Sequence, residues 1–148
     1  MTTIPTSAEA VQPATLGLNH VNLVVSDVPE SVRFYTEALG MRIKQVTKEI
    51  TFLATPGAQD VLALQAAGRD LDRASGKTRR PGDSGGVDHI GFDVADTTAL
   101  QTVIGAAQEA GGELLMQFTG ADGLPTAFIG DPDGYVLQLS PRHPTDNT

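Results

Sequence analysis

Two histidines and one repeated spacing hold most of the chemistry available to this chain. Imidazole is the commonest metal-ligating side chain. His20 and His89 lie 69 residues apart, and so do Asp27 and Asp96. Each pair belongs to an echoed run, LNHVNLVVSD at 18–27 and VDHIGFDVAD at 87–96. An offset shared at two positions points to an internal repeat. It predicts that the two histidines face each other and hold a metal. The third histidine, His143, sits in a tail between Pro141 and Pro144. Nothing in sequence pairs with it, and it reads as an exposed tail residue. Cysteine is absent. Thiolate ligands and disulfides are thereby excluded, and His, Asp, Glu, Gln and carbonyl oxygens remain as donors.

The elements that must position these histidines follow from periodicity. In the run 18–25, Val21, Leu23 and Val25 fall on one face, with His20, Asn22 and Val24 on the other. Period two predicts a strand with one apolar face. Asp27 can cap the helix that follows, with Pro29 in its first turn and Glu30 three residues on. Val28, Val32, Tyr35 and Leu39 recur at helical spacing, and Gly40 stands where a left-handed C-terminal residue is wanted. Three strands are expected over 41–47, 50–55 and 61–65. The second unit repeats the plan. Ile90, Phe92 and Val94 alternate with His89, Gly91 and Asp93. Asp96 caps a helix carrying Leu100, Val103, Ile104 and Ala107, which ends at Gly111-Gly112. Strands are expected over 113–118, 126–129 and 135–140, with a type I turn at Asp131-Pro132-Asp133-Gly134.

The chain therefore divides into a tail at 1–15, a unit at 16–65, a linker at 66–86, a second unit at 87–141 and a tail at 142–148. The linker is rich in Gly and charge and holds five of the ten basic residues: Arg69, Arg73, Lys77, Arg79 and Arg80. It reads as a solvated connection, or as a lid whose cations meet an anionic substrate. One helix per unit can cover only one sheet face. The faces with Leu23 and Phe92 should be covered. The opposite faces, with the histidines beside Asn22 and Gly91, look like the lining of a cup.

Composition bounds the partners. At 148 residues and 40% hydrophobic, the chain can bury a real core as one domain or two halves. No apolar run is long enough to span a membrane, and the first 15 residues lack the basic start and apolar block of a signal peptide. A net charge of -8 argues against nucleic-acid binding. It is compatible with a cationic small-molecule ligand. The lack of cysteine fits a cytoplasmic protein.

The segments HVNLVVSDVPESVRFYTEALGMR at 20–42, VDHIGFDVAD at 87–96 and DPDGYVLQL at 131–139 resemble the vicinal oxygen chelate superfamily. That superfamily includes glyoxalase I, extradiol dioxygenases, methylmalonyl-CoA epimerase and the fosfomycin- and bleomycin-resistance proteins. The resemblance covers residues 16–141. It implies an α+β fold of two βαβββ modules, glyoxalase/dioxygenase-like, forming a cupped mixed sheet around a cavity. It implies a homodimer and up to four metal ligands, one from the first and last strand of each module. His20 matches the first ligand, His89 the third, and Gln138 the fourth, more often Glu. Aligning 61–64 with 136–139 puts Ala63 at the second, and alanine cannot bind a metal. Gln65 lies two residues on, on the same face, and could replace it only in a different register.

These departures shape the chemistry. Two imidazoles and an amide leave a divalent ion (Fe, Mn, Ni, Co or Zn) with its full charge, so an anionic chelating substrate would complete the site. Neither Ala63 nor Gln138 can be a general base; Asp93 and Glu113 are the carboxylates left by position. The extradiol pattern wants a further His, a Tyr and a Glu, but no His lies between His89 and His143, and Phe128 and Gln138 take the other two places. The expected function is metal-dependent isomerase, lyase or oxygenase chemistry on a small oxygen-bearing molecule, with Asn22, Gly91, Phe128 and Gln65 lining the substrate site. The alternative is a metal-free protein that sequesters a ligand, of the bleomycin-resistance type.

Overall fold

The computed structural model describes residues 15, 17–68, 80–82, 87–120 and 123–142. Two modules follow one another. The first is β1 (Val21–Val24), α1 (Val28–Glu37), β2 (Arg42–Val46), β3 (Ile50–Ala54) and β4 (Leu62–Gln65). The second is β5 (Ile90–Val94), α2 (Thr97–Glu109), β6 (Glu113–Thr119), β7 (Pro125–Gly130) and β8 (Val136–Pro141). Each module forms a four-stranded mixed sheet, in orders β1-β4-β3-β2 and β5-β8-β7-β6. The α+β architecture of two βαβββ modules is the one expected from sequence. The first strand is shorter than the 18–25 expected, so His20 and His89 each stand one residue ahead of a strand.

The helices start where side-chain oxygens meet orphan amides. Asp27 accepts from the Glu30 amide at 3.0 Å, and Asp96 accepts from the Ala99 amide at 2.8 Å. Gly40 after α1 has φ +70 and Gly111 after α2 has φ +95, which glycine adopts without a Cβ penalty.

One hydrophobic core serves both modules. Leu23, Val25, Phe34, Tyr35, Leu53 and Leu64 from the first join Leu100, Ile104, Ala127, Ile129, Leu137 and Leu139 from the second. Gly112 marks a close approach beside this core. A Cβ there would lie 2.6 Å from the Phe34 ring and 2.7 Å from the Gly130 carbonyl oxygen. Polar bonds also tie the modules together. The Tyr35 hydroxyl donates to Asp131 at 2.7 Å, and the Tyr135 hydroxyl donates to the Val24 carbonyl at 2.7 Å. The Ser26 amide lies 3.2 Å from both Asp133 carboxylate oxygens.

Tails 1–14 and 143–148, and with them His143, lie outside the described residues, as do Arg69, Arg73, Lys77 and Arg79 of the linker. The described end of the linker is not simply solvated. Gly82, at φ +72, packs so closely on the Asp133 backbone carbonyl that no side chain would fit.

Candidate functional site

The sheet faces turned from the shared core carry the residues singled out by sequence. In the first sheet, Asn22 pairs with Ala63 and Ala63 with Phe52. In the second, Gly91 pairs with Gln138 and Gln138 with Phe128. Ala63 and Gln138 are thus structural equivalents, as are Phe52 and Phe128. The His20 ring meets Phe52 edge-on at 5.7 Å, and the His89 ring meets Phe128 edge-on at 5.1 Å. Each module therefore presents one histidine propped on one phenylalanine.

The rings are held from their other side by the preceding residue. His20 Nδ1 is 2.6 Å from Asn19 Oδ1, and His89 Nδ1 is 2.6 Å from Asp88 Oδ2. The Asp88 carboxylate accepts from a protonated Nδ1 and leaves the His89 Nε2 lone pair for a ligand; the Asn19 amide is compatible with the same tautomer at His20. Gln138 is oriented in the same sense. Its Nε2 donates to Ser140 Oγ at 3.1 Å, which directs the amide oxygen elsewhere. Two nitrogen donors and one oxygen donor are a chemically suitable set for a first-row divalent ion.

The fourth position is a different matter. The register that pairs Asn22 with Ala63 leaves no room for Gln65 to replace it. Gln65 is buried, at 3% exposure. Its Oε1 accepts from Asn22 Nδ2 at 2.6 Å, and its Nε2 donates to the Ala66 carbonyl at 3.5 Å. Its amide braces Asn22. Among the described residues no group of three or more His, Asp or Glu is placed to hold a metal.

A cavity of about 430 Å³ lies between the modules. It is lined by His20, Met41, Asp60, Gly91, Phe92, Asp93 and Arg142 among others, but by neither His89 nor Gln138. Asp60 is committed to the Thr55 amide and hydroxyl at 2.7 and 2.6 Å. Asp93 pairs with Arg142 at 3.3 Å. Glu113 begins β6, is exposed, and is not among the residues lining this cavity. Phe128 also stacks on Phe118 at 5.5 Å, making an aromatic wall beside His89.

A sequence model described as the Glyoxalase/Bleomycin resistance protein/Dioxygenase superfamily matches residues 17–139. The chain belongs to that superfamily. Within it, the chain is 36% identical over 126 residues to a probable lactoylglutathione lyase of Vibrio parahaemolyticus, covering 81% of this chain and 86% of that protein. It is 29% identical over 139 residues to virulence protein STM3117 of Salmonella typhimurium, covering 89% of this chain and 88% of that one. Among solved structures it superposes on a glyoxalase-related enzyme from Fulvimarina pelagi with a TM-score of 0.73, at 22% identity over 86% of this chain and 89% of that one. At this identity the likeness speaks for the glyoxalase fold alone. No helix among the described residues is long and apolar enough to cross a membrane.

Asn19, Asp88 and Phe52 were not singled out by sequence reasoning. The signal for the first two was in the echo itself, where each histidine follows a residue with a side-chain oxygen. Phe52 could have been found by aligning β3 with β7, as Ala63 was by aligning β4 with β8.

Proposed function

We propose that this glyoxalase-superfamily chain is a divalent-metal-dependent lyase or isomerase acting on a small molecule that offers two oxygens to the ion. One observation carries the reading: each histidine has a side-chain oxygen of the preceding residue 2.6 Å from Nδ1, an arrangement in which the Nδ1-protonated ring offers Nε2 to a ligand. His20, His89 and Gln138 would hold the ion. When bound, such an ion polarises a substrate oxygen and stabilises the negative charge that develops on it. The three protein donors are neutral, so they favour a substrate that binds as an anion. Asn22, braced by Gln65, presents a polar group beside His20, while Gly91 leaves space opposite Gln138. Phe128 forms an apolar wall. Of the two carboxylates that line the cavity with His20, Asp60 is bound to Thr55, and Asp93 is the candidate to accept a proton, with Arg142 holding it in place. The lyase or isomerase choice is supported by the name of the Vibrio relative and by Phe128 and Gln138, which depart from the extradiol pattern. Exposed Val46, Leu115, Met116 and Phe118 on β2 and β6 support a homodimer. Absence of cysteine supports a cytoplasmic setting.

A metal-free, ligand-sequestering role is favoured by Ala63 and by the Phe118–Phe128 wall. Elemental analysis separates the two. Protein purified without chelator and offered Fe, Mn, Ni, Co and Zn should carry metal, and a His20→Ala/His89→Ala variant should carry none. Equal metal content in both proteins would remove the basis of the enzyme reading. Thermal-shift binding of cationic antibiotics without product would then favour sequestration.

A further inference from the structure

The two histidine brackets are alike in distance and unlike in chemistry. Both place an oxygen 2.6 Å from Nδ1, but at His20 it belongs to an amide and at His89 to a carboxylate. An ionised carboxylate only accepts hydrogen bonds. Asp88 is therefore compatible with one neutral tautomer of His89, the one with its proton on Nδ1. The Asn19 amide can turn over and present its NH₂ group to an unprotonated Nδ1, so it accommodates either tautomer of His20. The carboxylate also brings a negative charge to a site whose ligand positions, Ala63 and Gln138, have none. A partner that fixes the tautomer and orientation of a ligating imidazole, and raises its donor strength, changes metal affinity by 10–100-fold in typical sites.

We infer that Asp88 is a positioning residue that holds His89 with Nε2 directed to the open sheet face, and that it supplies from outside the ligand set the negative charge missing at Ala63 and Gln138. The second module is then the stronger half of the site. It combines a fixed imidazole, an amide oxygen steered by Ser140 and an aromatic wall. The first module contributes one imidazole whose tautomer is not fixed. Asp88 is well exposed, its side chain at 94%, so its effect belongs at the lower end of that range.

The affinity part of this inference rests on His89 being a metal donor; the positioning part does not. Long-range proton–nitrogen spectra of the metal-free full chain near pH 8, where unperturbed imidazole is neutral, report which ring nitrogen carries the proton. In the wild type His89 should be protonated on Nδ1. Asp88→Asn should yield a mixture of tautomers, and Asp88→Glu should restore the wild-type pattern. Calorimetric titration with Ni²⁺ should show binding weakened about tenfold in Asp88→Asn and tightened in Asn19→Asp. A wild-type His89 spectrum in Asp88→Asn, with Ni²⁺ affinity within twofold while His89→Ala abolishes binding, would overturn the inference. No Ni²⁺ uptake by wild type, with the tautomer pattern as stated, would sink the metal reading and leave the positioning role of Asp88 intact.

Discussion

The bond between Tyr35 and Asp131 joins the modules through the core, and its loss can be predicted in magnitude and in pH dependence. Tyr35 is fully buried and Asp131 is 5% exposed. Asp131 Oδ2 accepts from the Tyr35 hydroxyl at 2.7 Å, while Oδ1 accepts from the amides of Asp133 at 2.9 Å and Tyr135 at 2.8 Å. Burial raises the Asp131 carboxyl above its ordinary range; the three donors pull it back without cancelling the rise. Burial and the neighbouring carboxylate push the Tyr35 phenol well above its usual value, so it remains a donor. Tyr35→Phe removes one hydrogen bond to a charged acceptor, worth about 1.5–3 kcal/mol, which for a chain of this size is a fall in Tm of roughly 3–12 °C. Asp131→Asn keeps the shape and removes the charge. A carboxyl raised on folding contributes stability that is fully present below its unfolded value and is lost as pH rises through the folded value. The stability of wild type relative to Asp131→Asn should therefore decline from about pH 4 upward and then level off. Tyr35→Phe should leave the onset of that decline in place and extend it to higher pH, because the hydroxyl is the largest influence lowering Asp131 in the folded state. Urea unfolding across pH 3.5–8, at about half-unit steps, measures both. A wild type that gains on Asp131→Asn as pH rises would refute the assignment of burial as the stronger influence.

Three further substitutions test other parts of the structure. Gly112→Ala drives a Cβ into the Phe34 ring and the Gly130 carbonyl and should cost about 1–3 kcal/mol in urea unfolding; Phe34→Leu in the same chain should recover part of the loss. Ser31 Oγ is buried and has no partner among the described residues, so Ser31→Ala should stabilise by about 1 kcal/mol in the same assay. Gln138→Glu restores a negative ligand and should tighten Ni²⁺ binding by about tenfold or more in calorimetry; unchanged affinity would place Gln138 outside the ligand set.

The modular plan was legible because every local signal agreed with it. Asp27 and Asp96 cap their helices as read, Gly40 and Gly111 close them, and the alternation around Leu23 and Phe92 names the inner face. The equivalence of Ala63 and Gln138 followed from the repeat, and the strand register bears it out. What escaped were contacts made at long range. Tyr35 read as one apolar position in a helical stripe and Asp131 as a turn former. Nothing in either segment says that they meet across 96 residues. The use of Gln65 to brace Asn22 was equally hidden, because an amide on a strand face suits a ligand, a wall or a brace. The cavity was expected to join both histidines, and the one between the modules contains His20 alone.

The faces bearing His20 and His89 are both turned from the shared core, and neither His89 nor Gln138 lines the cavity that holds His20. For the three proposed donors to hold one ion, the first module's face would have to meet a second module's face, and a second copy of the chain could bring one. In a two-fold dimer each site would take His20 from one copy and His89 with Gln138 from the other. Mixing two inactive variants distinguishes this from a site built within one chain. His20→Ala and His89→Ala should each fail to bind Ni²⁺. After the two are unfolded together and refolded, random pairing makes half of the dimers mixed. Each mixed dimer holds one site with both histidines intact and one with neither, so about a quarter of the wild-type sites should return. A site contained in one chain returns none, because every chain in the mixture lacks one histidine. Recovery near a quarter assigns the donors to two copies. No recovery, from a mixture that still forms dimers, assigns them to one chain and requires its two modules to close on each other.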